Sequence, residues 1–228
     1  MLVACWSPKG GSGTTVTAVL LALACARSWP GGVLIADLCG DVPAALGVPD
    51  PDGPGLTEWL AASPDVGADV LGRLELDVGR GVRLLPKGRG NVAGGTATRA
   101  ELLASALAAD ERPVVADCGG VDRSPGRELA TGATLSLEVL RPCYLGLRRA
   151  LAAPVHPTGV ILLAEPSRAL QRQDVEDVLR VPIWAEVPVG APIARAVDAG
   201  LLGARLPRPV ERALERAVAA VTPVGDRR

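Results

Sequence analysis

A glycine-rich loop near the amino terminus carries the residues with the clearest chemical potential in this sequence. It follows a short apolar run, precedes a helical pattern, and reads Ser7-Pro8-Lys9-Gly10-Gly11-Ser12-Gly13-Thr14-Thr15. Glycines at such a junction let backbone N–H groups and the start of the helix surround a phosphate chain. The loop therefore predicts a nucleotide-binding site, with a glycine-rich turn that binds nothing as the simpler alternative.

The loop is an incomplete match to the standard phosphate-binding pattern GxxxxGK[ST]. Gly13 and Thr15 fit the second glycine and the hydroxyl that binds Mg²⁺. Pro8 replaces the first glycine, and Thr14 stands where the phosphate-binding lysine belongs. Because threonine carries no charge, the stabilisation that a lysine gives to the β- and γ-phosphates is missing at this position.

Lys9 gives the loop a second interpretation. The run Lys9-Gly10-Gly11-Ser12-Gly13-Thr14-Thr15 resembles the KGGxGK[ST] loop of the ParA/MinD family of deviant Walker-A ATPases, with Thr14 as the exception. The resemblance implies ATP or ADP with Mg²⁺ at residues 9–15. It also implies a homodimer in which Lys9 reaches the partner's nucleotide, and a compact ammonium suits closely packed backbone donors. A solvated loop lysine is the alternative.

Two aspartates at predicted strand ends extend the resemblance. Asp37 looks like the first carboxylate of the family's DxD segment, while Cys39 stands at the second and Asp41 lies two residues beyond. Asp117 ends a segment that resembles the Walker B strand, where it would order Mg²⁺ through water together with Thr15.

The resemblance implies catalytic roles for Lys9, Asp37 and Asp117. Thr14 and Cys39 are departures that together indicate weak or absent hydrolysis. Glu165 stands where the family often has a base-binding asparagine, so recognition of the base is also altered.

Alternating strand-like and helix-like segments must position this loop. They predict an α/β fold with a mostly parallel central sheet flanked by helices, which the resemblance makes a P-loop NTPase of the ParA/MinD type. We expect one domain over residues 1–228, with a terminal helix at 209–221 and a tail at 222–228. The other predicted elements are strands at 2–6, 33–36, 82–85, 114–116, 134–140, 160–164 and 183–187, and helices at 14–28, 56–62, 97–109, 143–152 and 171–179.

The composition disfavours several classes of protein. The 228 residues carry 24 basic and 25 acidic side chains and are 48% apolar, which argues against both a basic nucleic-acid coat and wholesale disorder. No apolar run reaches the 18 residues of a membrane-spanning helix. We therefore expect a cytoplasmic protein, which a partner could recruit to the membrane or the pole. Five cysteines without CxxC spacing disfavour a disulfide framework and a structural zinc site.

The resemblance implies a switch that positions a septum, a pilus or secretion apparatus, or a chromosome. Segments 37–47 and 165–179 favour the TadZ/CpaE-like or septum-site-determining group. The main alternative is a pseudo-ATPase scaffold that interacts with the same kind of partner. A third alternative is a reductase-like or synthetase-like enzyme of the same superfamily, but the sequence supplies no substrate residues for it. Non-specific DNA binding is possible but not favoured, because scattered arginines usually form a solvated face; these arginines are Arg148, Arg149, Arg168 and Arg172.

Two further features have alternatives of their own. Cys39 and Cys118 each follow a strand-end aspartate and form a conceivable thiol switch or metal pair, although small buried side chains are the ordinary outcome. The terminal helix has one apolar side and one charged side. Because that apolar side lacks bulky aromatic residues, we expect it to pack on the sheet rather than on a membrane.

Overall fold

The computed structural model describes residues 1–92, 95–166, 168–203 and 208–221. Residues 93, 94 and 204–207, Ser167 of the 165–179 segment, and the predicted tail at 222–228 lie outside the described residues. The elements in chain order are β1 (Leu2–Trp6), α1 (Thr14–Ser28), β2 (Val33–Asp37), α2 (Val42–Leu46), α3 (Leu56–Ala61), a 3₁₀ turn (Ala68–Val70), α4 (Leu71–Leu74), β3 (Leu76–Asp77), β4 (Val82–Leu85), α5 (Ala97–Ala108), β5 (Val114–Gly119), α6 (Gly126–Gly132), β6 (Leu135–Leu140), α7 (Tyr144–Leu151), β7 (Gly159–Ala164), α8 (Arg172–Leu179), β8 (Ile183–Pro188), α9 (Ala191–Asp198) and α10 (Arg208–Val221).

The described strands form one eight-stranded sheet in the order β3-β4-β2-β5-β1-β6-β7-β8. Seven strands run parallel, and the two-residue β3 pairs antiparallel with β4 at one edge. The central strands β1 and β2 are short apolar runs that are buried along their whole length, as strands covered on both faces should be. The predicted mostly parallel sheet with flanking helices is confirmed.

The apolar core lies in layers on the two faces of this sheet. Val3 and Cys5 of β1 pack with α1, α2 and α10, whereas Leu2, Ala4 and Trp6 pack with α3, α5 and α6 on the opposite face. This alternation follows from the two-residue period of a strand. A third cluster joins α7 and α8 to β7. Because most of α1 is buried in the first of these layers, the helix holds the preceding loop in place.

The terminal helix packs on the protein as expected from its sequence. Val210, Leu214 and Ala217 of α10 are fully buried, and the helix lies against α1 and β8. Arg27 of α1 forms an ion pair of 2.7 Å with Glu211 of α10. Within the described ranges, no helix is both long enough and apolar enough to cross a membrane.

Several short elements escaped the sequence prediction. Helices α2, α4, α6 and α9, the 3₁₀ turn and strand β3 span two to eight residues each. Elements this short give only a weak periodic pattern, although α3, α7 and α8 are similarly short and were predicted. Helix α6 also begins and ends at glycine, a poor helix former. Their stability comes from packing against neighbours, as α2 packs against α1 and α9.

Candidate functional site

The glycine-rich loop joins the end of β1 to the start of α1 at the carboxyl edge of the sheet. Gly11 and Gly13 have φ of 73° and 84°, in the left-handed region that favours glycine. The hydroxyls of Ser7 and Ser12 donate to the Lys9 carbonyl at 3.1 and 2.7 Å, which fixes the first half of the loop. An added Cβ at Gly10 or Gly11 would meet no atom within 4 Å, so this side of the loop faces open space.

The loop forms one wall of a cleft of about 530 Å³. All seven predicted nucleotide-binding residues, Lys9 to Thr15, line this cleft. The opposite walls come from Cys39, Asp41, Gly119, Gly120, Asp122, Arg141 and Arg149. Lys9 forms no ion pair within the described part of the chain, so its ammonium is available to an anion. The structure thus brings the whole predicted loop together around a space large enough for a phosphate chain.

Asp117 lies at the carboxyl end of β5, beside Thr15 and fully buried. Its Oδ1 accepts the Gly119 N–H at 3.3 Å, while Oδ2 has no partner among the described residues. Burial raises the pKa of Asp117 to about 6, helped by the charge of Asp37 and opposed by the nearby Thr15 hydroxyl. A buried carboxylate oxygen without a partner, next to a hydroxyl, fits the water shell of a Mg²⁺ ion.

Asp37 has a different environment from the one the sequence suggested. It is directly opposite Asp117 in the register of β2 and β5 and is fully buried. Its oxygens accept the N–H groups of Cys39, Gly40 and Val42 at 2.9, 2.6 and 3.2 Å. Burial raises the pKa of Asp37, although these backbone bonds oppose the change. The side chain shapes the turn that leads into α2, so its catalytic role stays a prediction.

Cys39 and Asp41 reach the cleft from this turn. The Cys39 sulfur lies 3.9 Å from the Asp117 carbonyl, and it would collide with any Cβ placed on Gly119. Burial and the charges of Asp117, Asp37 and Asp41 raise the pKa of the Cys39 thiol, which therefore stays protonated. Asp41, two residues out of register with the family's segment, is exposed and lines the same cleft.

Cys118 is buried and Cys39 is half-buried, so the thiol switch or metal pair stays the less favoured alternative. The five cysteines are free thiols, and burial raises the pKa of Cys118 as it does that of Cys39. In the ranges the structure describes, no group of three or more histidine, cysteine or acidic side chains is arranged to hold a metal ion.

Two arginines of the cleft were missed by the sequence analysis as site residues. Arg141 follows the last residue of β6, and Arg149 lies on α7, where it was read as a solvated residue. Arg141 donates to Glu165 at 2.5 Å, and Arg168 donates to the same carboxylate. The available signal was a charged residue placed directly after a predicted strand, as with Asp37 and Asp117.

A second, apolar pocket of about 260 Å³ adjoins the cleft at Gly13 and Arg141. Its walls belong to α1, to the ends of β7 and β8, and to α9. The apolar side chains that line it are Val16, Leu20, Leu163, Val187, Val189, Ile193 and Val197. A flat apolar group attached to a phosphate chain in the cleft fits such a neighbouring pocket.

Together, the eight-stranded sheet and the glycine-rich loop after its central strand define a P-loop NTPase fold of the ParA/MinD type. Comparison with solved structures gives the same result. A ParA family ATPase from Chlorobium tepidum TLS superposes with a TM-score of 0.76 at 16% identity, covering 96% of each chain. The septum site-determining protein MinD from Pyrococcus horikoshii OT3, complexed with Mg-ADP, gives 0.72 at 17% identity and covers 98% of this chain and 100% of its own.

A third similar structure is the MinC:MinD cell division protein complex from Aquifex aeolicus, with a TM-score of 0.69 at 16% identity over 100% of this chain and 98% of that one. No family model and no curated protein matches the sequence itself. At these identities the comparisons establish the fold, and the predicted ParA/MinD architecture is confirmed.

Proposed function

We propose that this chain is a nucleotide-dependent dimerising switch of the ParA/MinD type that positions a cellular machine, with weak or no ATP hydrolysis. The observation that carries the proposal is the cleft itself, which residues 9–15 line. Beside Thr15 lies the buried Asp117, whose Oδ2 has no hydrogen-bond partner among the described residues. The Mg-ADP bound by the structurally similar Pyrococcus MinD supports ATP or ADP with Mg²⁺ as the ligand.

Each wall of the site has a role in holding this ligand. Backbone N–H groups of the loop and the start of α1 bind the phosphates. Thr15 and Asp117 hold Mg²⁺, with Asp117 acting through water, and the apolar pocket beside Gly13 receives the base. Bound Mg²⁺ supplies positive charge that neutralises the phosphate oxygens. The chain's own residues therefore bind and orient the nucleotide.

The same cleft explains the proposed lack of hydrolysis. Thr14 supplies no charge to the phosphates, and the Cys39 thiol stays protonated where a carboxylate would orient water. Both Asp37 oxygens already accept bonds from their own turn. These features also favour the second candidate function, a scaffold of the same fold that never turns over ATP.

The remaining expectations follow from the switch. We propose a single domain over residues 1–228 that works in the cytoplasm as a homodimer, with Lys9 crossing to the partner's nucleotide. The MinC:MinD complex supports a protein partner for a chain of this fold. The machine is a septum, a pilus or secretion apparatus, or a chromosome, and recruitment to a membrane or pole passes through the partner.

Calorimetric titration with ATP and Mg²⁺, combined with light scattering of the eluted species, tests this proposal. We expect micromolar binding and a dimer that forms only with ATP. Lys9→Ala should abolish the dimer, whereas Lys87→Ala, at the chain's other lysine and outside the loop cleft, should leave it intact. No binding at millimolar ATP would overturn the proposal. A dimer that forms without nucleotide and persists in Lys9→Ala would favour the scaffold instead.

Restoring the missing groups tests the proposed cause of weak hydrolysis. The double substitution Thr14→Lys and Cys39→Asp should raise phosphate release about tenfold or more, because a positioned charge is worth over about 1.4 kcal/mol in the transition state. Single substitutions should give smaller gains. If the double variant binds ATP but releases phosphate no faster than the natural chain, the pocket lacks more than these two groups.

A further inference from the structure

The start of α1 lacks the side-chain cation that a phosphate-binding loop normally carries. Residue 14 is a largely buried threonine that lines the cleft but carries no charge. We propose that Arg141, assisted by Arg149, supplies to the nucleotide phosphates the positive charge that residue 14 lacks. This inference rests on the proposed function, because it concerns the same cleft and the same ligand.

The sheet order places Arg141 next to the loop. Strand β6 pairs in parallel with β1, with Trp6 opposite Glu138, so both strands end at the same edge of the sheet. Arg141 comes one residue after β6 ends, and the loop begins one residue after β1 ends. As a result Arg141 lines both the loop cleft and the apolar pocket, at their junction beside Gly13.

The guanidinium of Arg141 has a donor left over. One terminal nitrogen donates to Glu165 at 2.5 Å, but the buried Nε has no partner among the residues described. A buried donor without an acceptor is costly, and a guanidinium offers a planar fork that matches phosphate oxygens. A phosphate at the rim of the cleft would satisfy this nitrogen.

Glu165 orients Arg141 without neutralising the local charge. The same carboxylate also accepts hydrogen bonds from Arg168, so the three side chains together carry one net positive charge. Arg149 lies on α7, the helix that follows Arg141, and its exposed side chain lines the cleft. It forms no ion pair in the described part of the chain. Its neighbour Arg148 is equally exposed but does not line the cleft, which makes it a matched control.

Binding of a fluorescent N-methylanthraniloyl ATP with Mg²⁺, measured on the full chain, tests the assignment. Arg141→Gln should raise Kd about ten- to a hundredfold, the range expected for a lost charge-assisted hydrogen bond. Arg168→Gln removes the other arginine from Glu165 and should change Kd by less than about threefold. Arg149→Gln should weaken binding moderately, and Arg148→Gln should leave it unchanged.

A relocated charge should rescue the loss. Adding Thr14→Lys to Arg141→Gln should recover about tenfold or more of the ATP affinity, because the cation returns to the same phosphates from the other side. Thr14→Lys alone should gain less. The affinity for adenosine, measured by competition, should be unchanged in Arg141→Gln because adenosine has no phosphate. The affinity for pyrophosphate should fall. Arg141→Lys, which keeps the charge, provides a second variant, and thermal unfolding checks that every variant folds.

The outcomes separate this inference from the proposed function. If the natural chain fails to bind ATP at millimolar concentration, both proposals fall. If it binds and Arg141→Gln binds equally well, only this inference is overturned. Equal losses in Arg141→Gln and Arg168→Gln, or no rescue by Thr14→Lys in a folded protein, would show that Arg141 only ties β6 to the end of β7.

Discussion

Glu138 lies on a central strand of the sheet, where its ionisation should contribute to the pH dependence of stability. It is on β6 opposite Trp6 of β1 and only 1% exposed. Neither carboxylate oxygen has a hydrogen-bond partner among the described residues. Burial alone raises the pKa of Glu138 from 4.5 to about 7, because the charged form loses its hydration.

The direction of the effect follows from proton linkage. Below pH 4.5 the carboxyl is protonated in both states and contributes no pH dependence. Between 4.5 and about 7 the unfolded chain releases the proton while the folded chain keeps it, so stability falls. At about 1.4 kcal/mol per pH unit, the full loss above pH 7 is about 3 kcal/mol. Glu138→Gln keeps the shape of the side chain and removes this loss.

Urea unfolding of the natural chain and Glu138→Gln, at intervals from pH 4.5 to 8.5, measures the effect. The stability of the variant relative to the natural chain should rise by about 3 kcal/mol over this range. In the difference between the two free energies of unfolding, the pH dependence of the other carboxylates cancels. Any pH-independent cost of the amide adds a constant that does not change with pH. Glu101→Gln, at an exposed position of α5, should give a flat difference. A flat difference for Glu138→Gln would refute the reasoning.

Two other substitutions test how the flanking elements are held. Gly47→Ala should lower the free energy of unfolding by about 2–4 kcal/mol, measured by thermal unfolding. Gly47 has φ of 74°, and a Cβ there would lie 1.8 Å from the Gly200 carbonyl oxygen. Gly53→Ala, where a Cβ would meet open space, is the control. Arg99→Lys should cost about 1–3 kcal/mol in urea unfolding, because the buried guanidinium donates to two backbone carbonyls and stacks 3.8 Å from the Trp59 ring. An unchanged urea midpoint would contradict that account of Arg99.

Local sequence patterns determined the framework of this protein. Short apolar runs and helical periodicity placed the seven parallel strands and six of the helices within a few residues, because burial on both faces of a sheet demands such runs. The loop from Lys9 to Thr15 was equally readable, since its glycines and its place between a strand and a helix are neighbours in the chain. The missing lysine at residue 14 was visible for the same reason.

Only the tertiary structure decided which other groups share the cleft. Arg141 lies far along the chain from the loop, and the pairing of β6 with β1 brings the two strand ends to one edge. Asp37 resembles the first carboxylate of the family's DxD segment, yet in the fold its oxygens accept hydrogen bonds from the turn before α2. Local patterns cannot encode these contacts, because each one depends on the order in which the strands assemble.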